Sequence, residues 1–112
     1  GESHAGLSYC ALASLVLLQK ELKFDKQTYI DTIIRKQCGG FSGRTGKYPD
    51  TCYSFWNIAQ LQILETPLTN IEENTKYIQR CQMHGGFMKM DISDHPDILH
   101  TFYSLAALSL TN

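Results

Sequence analysis

The sequence has no long apolar run and no excess of charge of either sign. Its longest apolar stretch, from Ala11 to Leu18, is short and is interrupted by Ser14, whereas a membrane-spanning helix needs about 20 apolar residues. The 10 basic and 11 acidic residues leave a net charge of -1, so no global field attracts nucleic acid or an anionic membrane surface. We therefore expect no transmembrane segment and no nucleic-acid partner, and any anion binding must be local.

The sequence also lacks CxxC pairs, an initiator methionine, a signal peptide and a lipidation motif. Its four cysteines, at positions 10, 38, 52 and 81, lie in apolar, helical contexts, and a disulfide-rich secreted domain usually has fewer long apolar helices. We expect reduced cysteines in a cytoplasmic protein, with two disulfides as the alternative. The 43% hydrophobic composition fits one packed domain. Because the chain opens in mid-pattern, residues 1–112 are interpreted as a single partial domain of a longer polypeptide.

One apolar segment occurs three times at a nearly constant spacing. The copies begin at Leu7, Tyr53 and His100. Their registers match position by position, with these equivalent residues: Ser8, Ser54 and Thr101; Tyr9, Phe55 and Phe102; Cys10, Trp56 and Tyr103; Ala13, Ala59 and Ala106; Leu15, Leu61 and Leu108. A Gly-Gly-Phe tripeptide precedes the second and third copies, at 39–41 and 85–87. Similarity at a fixed period is typical of stacked supersecondary units.

Each copy has the pattern of a helix that is packed on several sides, because it is apolar nearly all round. The more polar segments between copies carry one apolar stripe at helical spacing, around Ile30 and Ile33 and again around Ile78, which predicts outer helices with one buried face. Asp25 is the expected N-cap of the first outer helix. The Gly-Gly pairs are expected to end each outer helix, and strands are not expected. The fold class is therefore all-α, with helical hairpin repeats in a layered array.

Three side chains near the starts of the inner helices form a candidate metal site. The repeat alignment places His4, Asp50 and Asp97 just before three parallel helices. Asp50, Cys52 and His100 provide a carboxylate, a thiolate and an imidazole, which suits a zinc ion with one open position. The alternative is structural: Asp50 as a helix cap, Cys52 as a small core residue and His100 as a hydrogen-bonded interior histidine.

Cations and aromatic side chains lie close to the same helix starts. Arg44 and Lys47 could bind the oxygens of a phosphate, with Tyr53 and His4 as further donors, although a glycine-containing turn often carries solvated cations. Three other residues, Cys10, Trp56 and Tyr103, could wall an apolar pocket, or they could belong to the core. Lys89 lies on the route to the site and is expected to be exposed.

Two strings carry a specific resemblance to a known family. They run from Arg44 to Trp56 (RTGKYPDTCYSFW) and from His95 to His100 (HPDILH), and together with the repeats they resemble the β subunit of protein prenyltransferases over essentially the whole chain. The resemblance implies an α/α toroid that pairs with a helical α subunit. It implies one catalytic Zn²⁺ on Asp50, Cys52 and His100, and transfer of an isoprenoid from its diphosphate to the cysteine of a C-terminal CaaX motif, as in small GTPases.

The resemblance also implies roles for the other candidates. The residues that match the diphosphate-binding positions are His4, Arg44, Lys47 and Tyr53. Those that match other substrate-binding positions are Cys10, Trp56, Leu99, Tyr103 and Lys89.

Within the family, the sequence is most similar to the CaaX type, and there to geranylgeranyltransferase type I. The opening string from Glu2 (ESHAG) resembles the CaaX type, and Leu99 stands where farnesyltransferases carry tyrosine. Lys89 resembles a lysine in the place of a magnesium-binding aspartate, so Mg²⁺ is not expected to be required. Tyr103 instead resembles the farnesyltransferases, which remain the alternative.

Two other classes of protein are alternatives to this interpretation. A terpene cyclase shares a helical toroid and glycine-rich repeats, but it would need an acidic proton-donor motif and no thiol-ligated zinc, so the Asp50, Cys52 and His100 set counts against it. A helical-repeat module without catalytic activity, binding a partner peptide at the same mouth, is the other alternative. Because the chain lacks an α subunit and half of the funnel, we expect no activity from the 112 residues alone.

Overall fold

The computed structural model describes residues 3–68 and 70–111, and Glu2 of the opening string lies outside them. Five helices and four two-residue strands follow in the order α1 (Ala5–Leu17), α2 (Lys26–Ile34), β1 (Gln37–Cys38), β2 (Gly40–Phe41), α3 (Thr51–Ile63), α4 (Ile71–Arg80), β3 (Gln82–Met83), β4 (Gly86–Phe87) and α5 (Ile98–Leu110). The predicted order of three inner helices (α1, α3 and α5) and two outer helices (α2 and α4) is confirmed. None of the helices in the described part of the chain is both long enough and apolar enough to cross a bilayer.

Helix α3 is the centre of the array. It packs against α1 on one side and α5 on the other, and α5 is parallel to it, since their starts meet at His100 and Asp50 while Gln62 Nε2 donates to Leu110 O at 2.8 Å near their ends. The residues of the main core are Leu12, Ile30, Ile33, Phe41, Ile58, Leu61, Leu64, Ile78, Phe87 and Ala107. Every helix contributes to this core, so the repeats share one apolar interior.

The glycine pairs form tight hairpins, which corrects two expectations. The outer helices have already ended when the chain reaches the glycines, and β1–β2 and β3–β4 pair as antiparallel hairpins around Gly39 and Gly85. Both of these glycines have positive φ, 71° and 97°, a conformation that glycine adopts without strain. The second glycine of each pair packs against a neighbour, Gly40 on the ring of Tyr77 and Gly86 on Thr101, where no Cβ would fit. Strands were not expected because two residues are too few to show a period of two.

Each hairpin positions the residue that starts the next inner helix. The N–H of Asp50 donates to the carbonyl of Phe41 at 3.0 Å, and the N–H of Asp97 donates to the carbonyl of Phe87 at 3.3 Å. The predicted equivalence of His4, Asp50 and Asp97 is confirmed, because all three are N-caps of inner helices. Hairpin and cap together fix where each helix begins.

The two flanking inner helices are less enclosed than their composition suggested. Helix α1 exposes Leu7 and Leu17, and α5 exposes Ile98, Phe102 and Leu105. Among the described inner helices, α3 has an inner helix on each side and contains the most buried residues. All four cysteines are free thiols, two of them buried and two exposed. The predicted N-cap of α2 is confirmed, since Asp25 accepts a hydrogen bond from the N–H of Thr28.

Candidate metal centre and anion-binding cleft

Side chains from the starts of two inner helices meet at the candidate metal centre. The oxygen and sulfur atoms of Asp50 and Cys52 and a ring nitrogen of His100 all lie within 4.8 Å of one another. The three residues are nearly inaccessible, with exposed fractions of 3%, 6% and 9%. Asp50 Oδ1 also accepts the N–H of Cys52 at 2.9 Å, so the predicted cap and the predicted ligand are the same side chain.

The electrostatics of this cluster favour a bound cation. Burial, followed by the hydrogen bond and the charge of Asp50, raises the pKa of the Cys52 thiol far above its ordinary value. A buried carboxylate beside a thiol is costly unless a positive charge compensates it, and a divalent metal ion would both compensate the charge and hold the sulfur as thiolate. One carboxylate, one thiolate and one imidazole fit a zinc ion that keeps a fourth position open.

Asp97 orients the imidazole of His100. Its carboxylate oxygens lie 2.9 and 2.8 Å from His100 Nδ1, and one of them also accepts the N–H of His100 at 2.8 Å. That backbone hydrogen bond is the main reason why the pKa of Asp97 is lowered. With Nδ1 held in this way, Nε2 faces Asp50 Oδ1 at 3.4 Å. Such a carboxylate partner is common behind a metal-bound histidine, and the sequence interpretation gave Asp97 only a capping role.

A cationic cleft of about 280 Å³ opens beside the cluster. Its lining residues are Gly43, Arg44, Lys47, Tyr48, Asp50, Tyr53, Lys89 and Met90. The structure therefore brings together the cations predicted at this mouth, Arg44 and Lys47, and adds Lys89, whose Nζ is 4.0 Å from Asp50 Oδ2. Three cations around one small cleft favour an anion with several oxygens.

His4 is connected to this cleft by its contact with Tyr53, which lines it. Its Nδ1 accepts the N–H of Gly6 at 3.2 Å, which leaves the proton on Nε2, and Nε2 lies 3.3 Å from the hydroxyl of Tyr53. Burial is the main cause that raises the pKa of Tyr53, so its hydroxyl stays protonated and can donate a hydrogen bond. His4 and Tyr53 thus form a short chain from α1 to the edge of the cleft.

An aromatic row leads away from the cleft across the inner helices. The ring of Tyr53 lies 5.3 Å from that of Trp56, and Trp56 lies 5.1 Å from Tyr103. Cys10 is exposed on α1 and Leu99 is 56% exposed at the start of α5. Of these predicted residues, Trp56 and Tyr103 are therefore in direct ring contact, whereas Cys10 and Leu99 are exposed to solvent.

Comparison with known proteins identifies the family. A model of the prenyltransferase alpha-alpha toroid domain matches residues 1–112. The chain belongs to the prenyltransferase alpha-alpha toroid family. Its partial toroid agrees with the expected fold class, and the resemblance noted in the sequence is confirmed.

Similar members of the prenyltransferase toroid family come from distant organisms. The chain is 38% identical to a geranylgeranyl transferase type-1 subunit beta of Dictyostelium discoideum, over 99% of the chain and 33% of that protein. It is 35% identical to the corresponding subunit of Arabidopsis thaliana, over 97% of the chain and 33% of that protein. Beta subunits of type-2 geranylgeranyl transferase and of protein farnesyltransferase are also similar, so likeness alone does not separate the three activities.

A solved structure of the family has the same fold. The Candida albicans protein geranylgeranyltransferase-I complexed with GGPP superposes with a TM-score of 0.73 and 29% identity, over 100% of this chain and 37% of that one. The chain thus spans about a third of the length of the relatives that it matches.

Proposed function

We propose that the chain is the C-terminal part of a zinc-dependent protein prenyltransferase β subunit, with residues 1–112 as a single partial domain of its toroid. The parent protein would transfer a geranylgeranyl group from its diphosphate to the cysteine of a C-terminal CaaX motif, as a cytoplasmic heterodimer with an α subunit. The observation that carries this proposal is the buried cluster of Asp50, Cys52 and His100 next to the cationic cleft. A metal that binds sulfur and a clamp for an anionic leaving group are the two parts that this reaction needs.

The donor set explains how a thiol substrate would become reactive. Asp50, Cys52 and His100 would hold the zinc ion, with Asp97 keeping the His100 ring in place. When bound, zinc stabilises the thiolate form of the incoming peptide cysteine at neutral pH. The buried surroundings exclude water, which strengthens every electrostatic interaction at this point.

The cleft explains how the leaving group would depart. The bond from the isoprenoid C1 to the diphosphate oxygen breaks while a bond from C1 to the peptide sulfur forms, so negative charge moves from the thiolate to the diphosphate. Arg44 and Lys47 would bind the diphosphate oxygens as this charge grows, and Tyr53, supported by His4, would donate a neutral hydrogen bond. Donors that act on the developing charge raise the rate and not only the affinity.

The aromatic row would receive the hydrocarbon chain. Trp56 and Tyr103 form a continuous apolar face next to Tyr53, with Cys10 on the neighbouring helix. Leu99 directly precedes His100 at the start of α5 and would contact the peptide or the isoprenoid. In the complete toroid, further repeats would close this pocket on the sides that the chain leaves open.

The resemblance of Lys89 to a lysine of the type I enzymes supports geranylgeranyl as the transferred group. The Lys89 ammonium stands on the rim of the cleft, 4.0 Å from Asp50 Oδ2, where it would neutralise diphosphate charge so that Mg²⁺ is not required. A farnesyltransferase remains the second candidate because Tyr103 resembles the residue that the farnesyltransferases have at this position. In the full-length heterodimer, peptides ending in leucine with geranylgeranyl diphosphate should be preferred, without added Mg²⁺, over peptides ending in serine or methionine with farnesyl diphosphate. The opposite preference would establish the second candidate.

Zinc binding tests the metal centre independently of activity. We expect one zinc ion per chain, lost in Cys52→Ala and in His100→Ala, because each change removes one of three donors. Cys38→Ala and His84→Ala are matched controls, since both residues are exposed and outside the cluster. A folded chain that binds no zinc, or that loses zinc equally in the controls, would favour the helical-repeat interaction module. Detectable prenyl transfer by the 112 residues alone would contradict the expectation that the parent protein is needed.

A further inference from the structure

Thr51 lies between two of the candidate metal ligands and contacts a segment of the following repeat. It is the first residue of α3 and is fully buried. Its backbone N–H donates to the carbonyl of Lys89 at 3.0 Å, and its hydroxyl donates to the carbonyl of Met88 at 3.0 Å. Both polar groups of this one residue are therefore bonded to two consecutive carbonyls.

Met88 is also held from its other side by the end of α4. The N–H of Met88 donates to the carbonyl of Cys81 at 2.8 Å, and the Met88 side chain is buried in a small cluster with Tyr77 and Cys81. The backbone of Met88 and Lys89, which we call the strap, is thus fixed between two helices. Only the Lys89 side chain remains half-exposed, and it ends on the rim of the anion-binding cleft.

We propose that Thr51 is a positioning residue for the anion site. Its hydroxyl holds the strap in the place where the Lys89 ammonium lies at the rim of the cleft. This inference rests on the proposed function of the cleft. A buried hydroxyl is costly unless it is hydrogen-bonded, and the Thr51 hydroxyl meets this need on the strap, with Met88 O at 3.0 Å and Lys89 O at 3.4 Å. Thr51 therefore couples the helix start that carries Asp50 and Cys52 to the cation contributed by the next repeat.

The test is a double-mutant cycle in the full-length subunit assembled with its partner, with inorganic pyrophosphate as the competing anion. We expect Thr51→Val, which keeps the shape and removes the hydroxyl, to raise the inhibition constant of pyrophosphate about fivefold, the effect of losing one hydrogen bond. Thr51→Ser should restore the wild-type value. Ser104→Ala, which removes a buried hydroxyl from the neighbouring helix α5, should leave the inhibition constant unchanged.

The cycle with Lys89→Ala separates positioning from general destabilisation. If Thr51 acts through Lys89, Thr51→Val adds nothing to the inhibition constant in the Lys89→Ala background. Equal effects in both backgrounds, or a wild-type inhibition constant in Thr51→Val, would overturn the proposal. If the valine variant does not fold, Thr51→Ala serves in its place in the same cycle. Failure of pyrophosphate to inhibit the wild-type protein would instead reject the proposed function of the cleft.

Discussion

Replacing Asp97 with asparagine is the sharpest test of how the metal centre is built. The Asp97 carboxylate makes two kinds of contact, one with the backbone N–H of His100 and one with the His100 ring nitrogen Nδ1. Asparagine caps helices about as well as aspartate, so Asp97→Asn preserves α5. What it removes is the negative charge that holds the Nδ1 proton and makes Nε2 a stronger ligand.

The size of the effect follows from these contacts. Losing the carboxylate partner of a metal-bound histidine typically weakens metal binding about 10- to 100-fold. Because the amide oxygen of asparagine can still accept from Nδ1, we expect the lower end, about 10-fold, which is roughly 1.4 kcal/mol. Asp97→Ala removes the acceptor altogether and should reach about 100-fold, with a further ~1 kcal/mol loss of stability from the missing cap.

Zinc affinity is measured by competition with a fluorescent chelator, with helix content followed by circular dichroism. Asp25→Asn is the matched control, since Asp25 caps α2 by the same contact with the N–H of Thr28 but has no histidine partner among its described contacts. We expect its zinc affinity to be unchanged. Wild-type zinc affinity in Asp97→Asn, or an equal loss in Asp25→Asn, would refute the argument that Asp97 acts through His100.

Three further predictions concern the cleft and the buried thiols. Arg44→Ala in the full-length heterodimer should lower the single-turnover rate by about 10- to 1000-fold, the effect of losing one preorganised donor to the developing charge. Gly43→Ala would place a Cβ 2.5 Å from the ring of Tyr53, so pyrophosphate inhibition should weaken as the ring is displaced. In the metal-free chain, burial raises the pKa of Cys81 from 9.0 to about 11 and that of Cys52 further. Since the unfolded thiols ionise first, the free energy of unfolding measured in urea should fall as the pH rises above about 9, by up to ~1.4 kcal/mol per pH unit for each thiol.

Each of these predictions has its own control. Arg35→Ala removes an exposed arginine outside the cleft, and a loss of rate as large as that of Arg44→Ala would show that the effect is not local. Gly6→Ala places a Cβ 3.3 Å from Trp56 and 3.4 Å from His4 Cε1, contacts that small shifts can absorb, so it should weaken pyrophosphate inhibition less than Gly43→Ala. Cys81→Ala should remove its own share of the alkaline loss of stability and leave the share of Cys52, and an unchanged slope would assign that loss to other groups.

The helical array could be predicted because the same helical pattern occurs three times in the sequence. The matching registers that begin at Leu7, Tyr53 and His100 identified the inner helices, and the stripes around Ile30 and Ile78 identified the outer ones. The hairpins escaped prediction because their strands have two residues each and are specified by tertiary contact. Gly40 and Gly86 are required by Tyr77 and Thr101, which are far away in sequence.

The site was predictable only in so far as the repeat alignment brought helix starts together. Asp50 and Cys52 are close in sequence, but only the parallel packing of α3 and α5 brings His100 to them. The second role of Asp97 and the contact of Thr51 with the strap were not recognised, since both residues look like ordinary residues at a helix start. An aspartate three residues before a candidate metal-binding histidine is the signal that could have indicated the first of them.

Buried polar side chains on α3 fix the orientation of this helix relative to its neighbours. Ser54 donates to Asn74 of α4 at 2.7 Å, Asn57 Nδ2 donates to Ser42 O at 3.2 Å, and Gln60 Nε2 donates to Ala5 O at 3.4 Å. These bonds reach an outer helix, the loop before α3 and the start of α1, so they restrain the rotation of α3 from three directions. An apolar helix could rotate at little cost, whereas a turn of α3 would leave several buried polar groups without partners. The direction in which Asp50 and Cys52 point is therefore set along the length of α3, and the metal centre depends on polar residues well outside it.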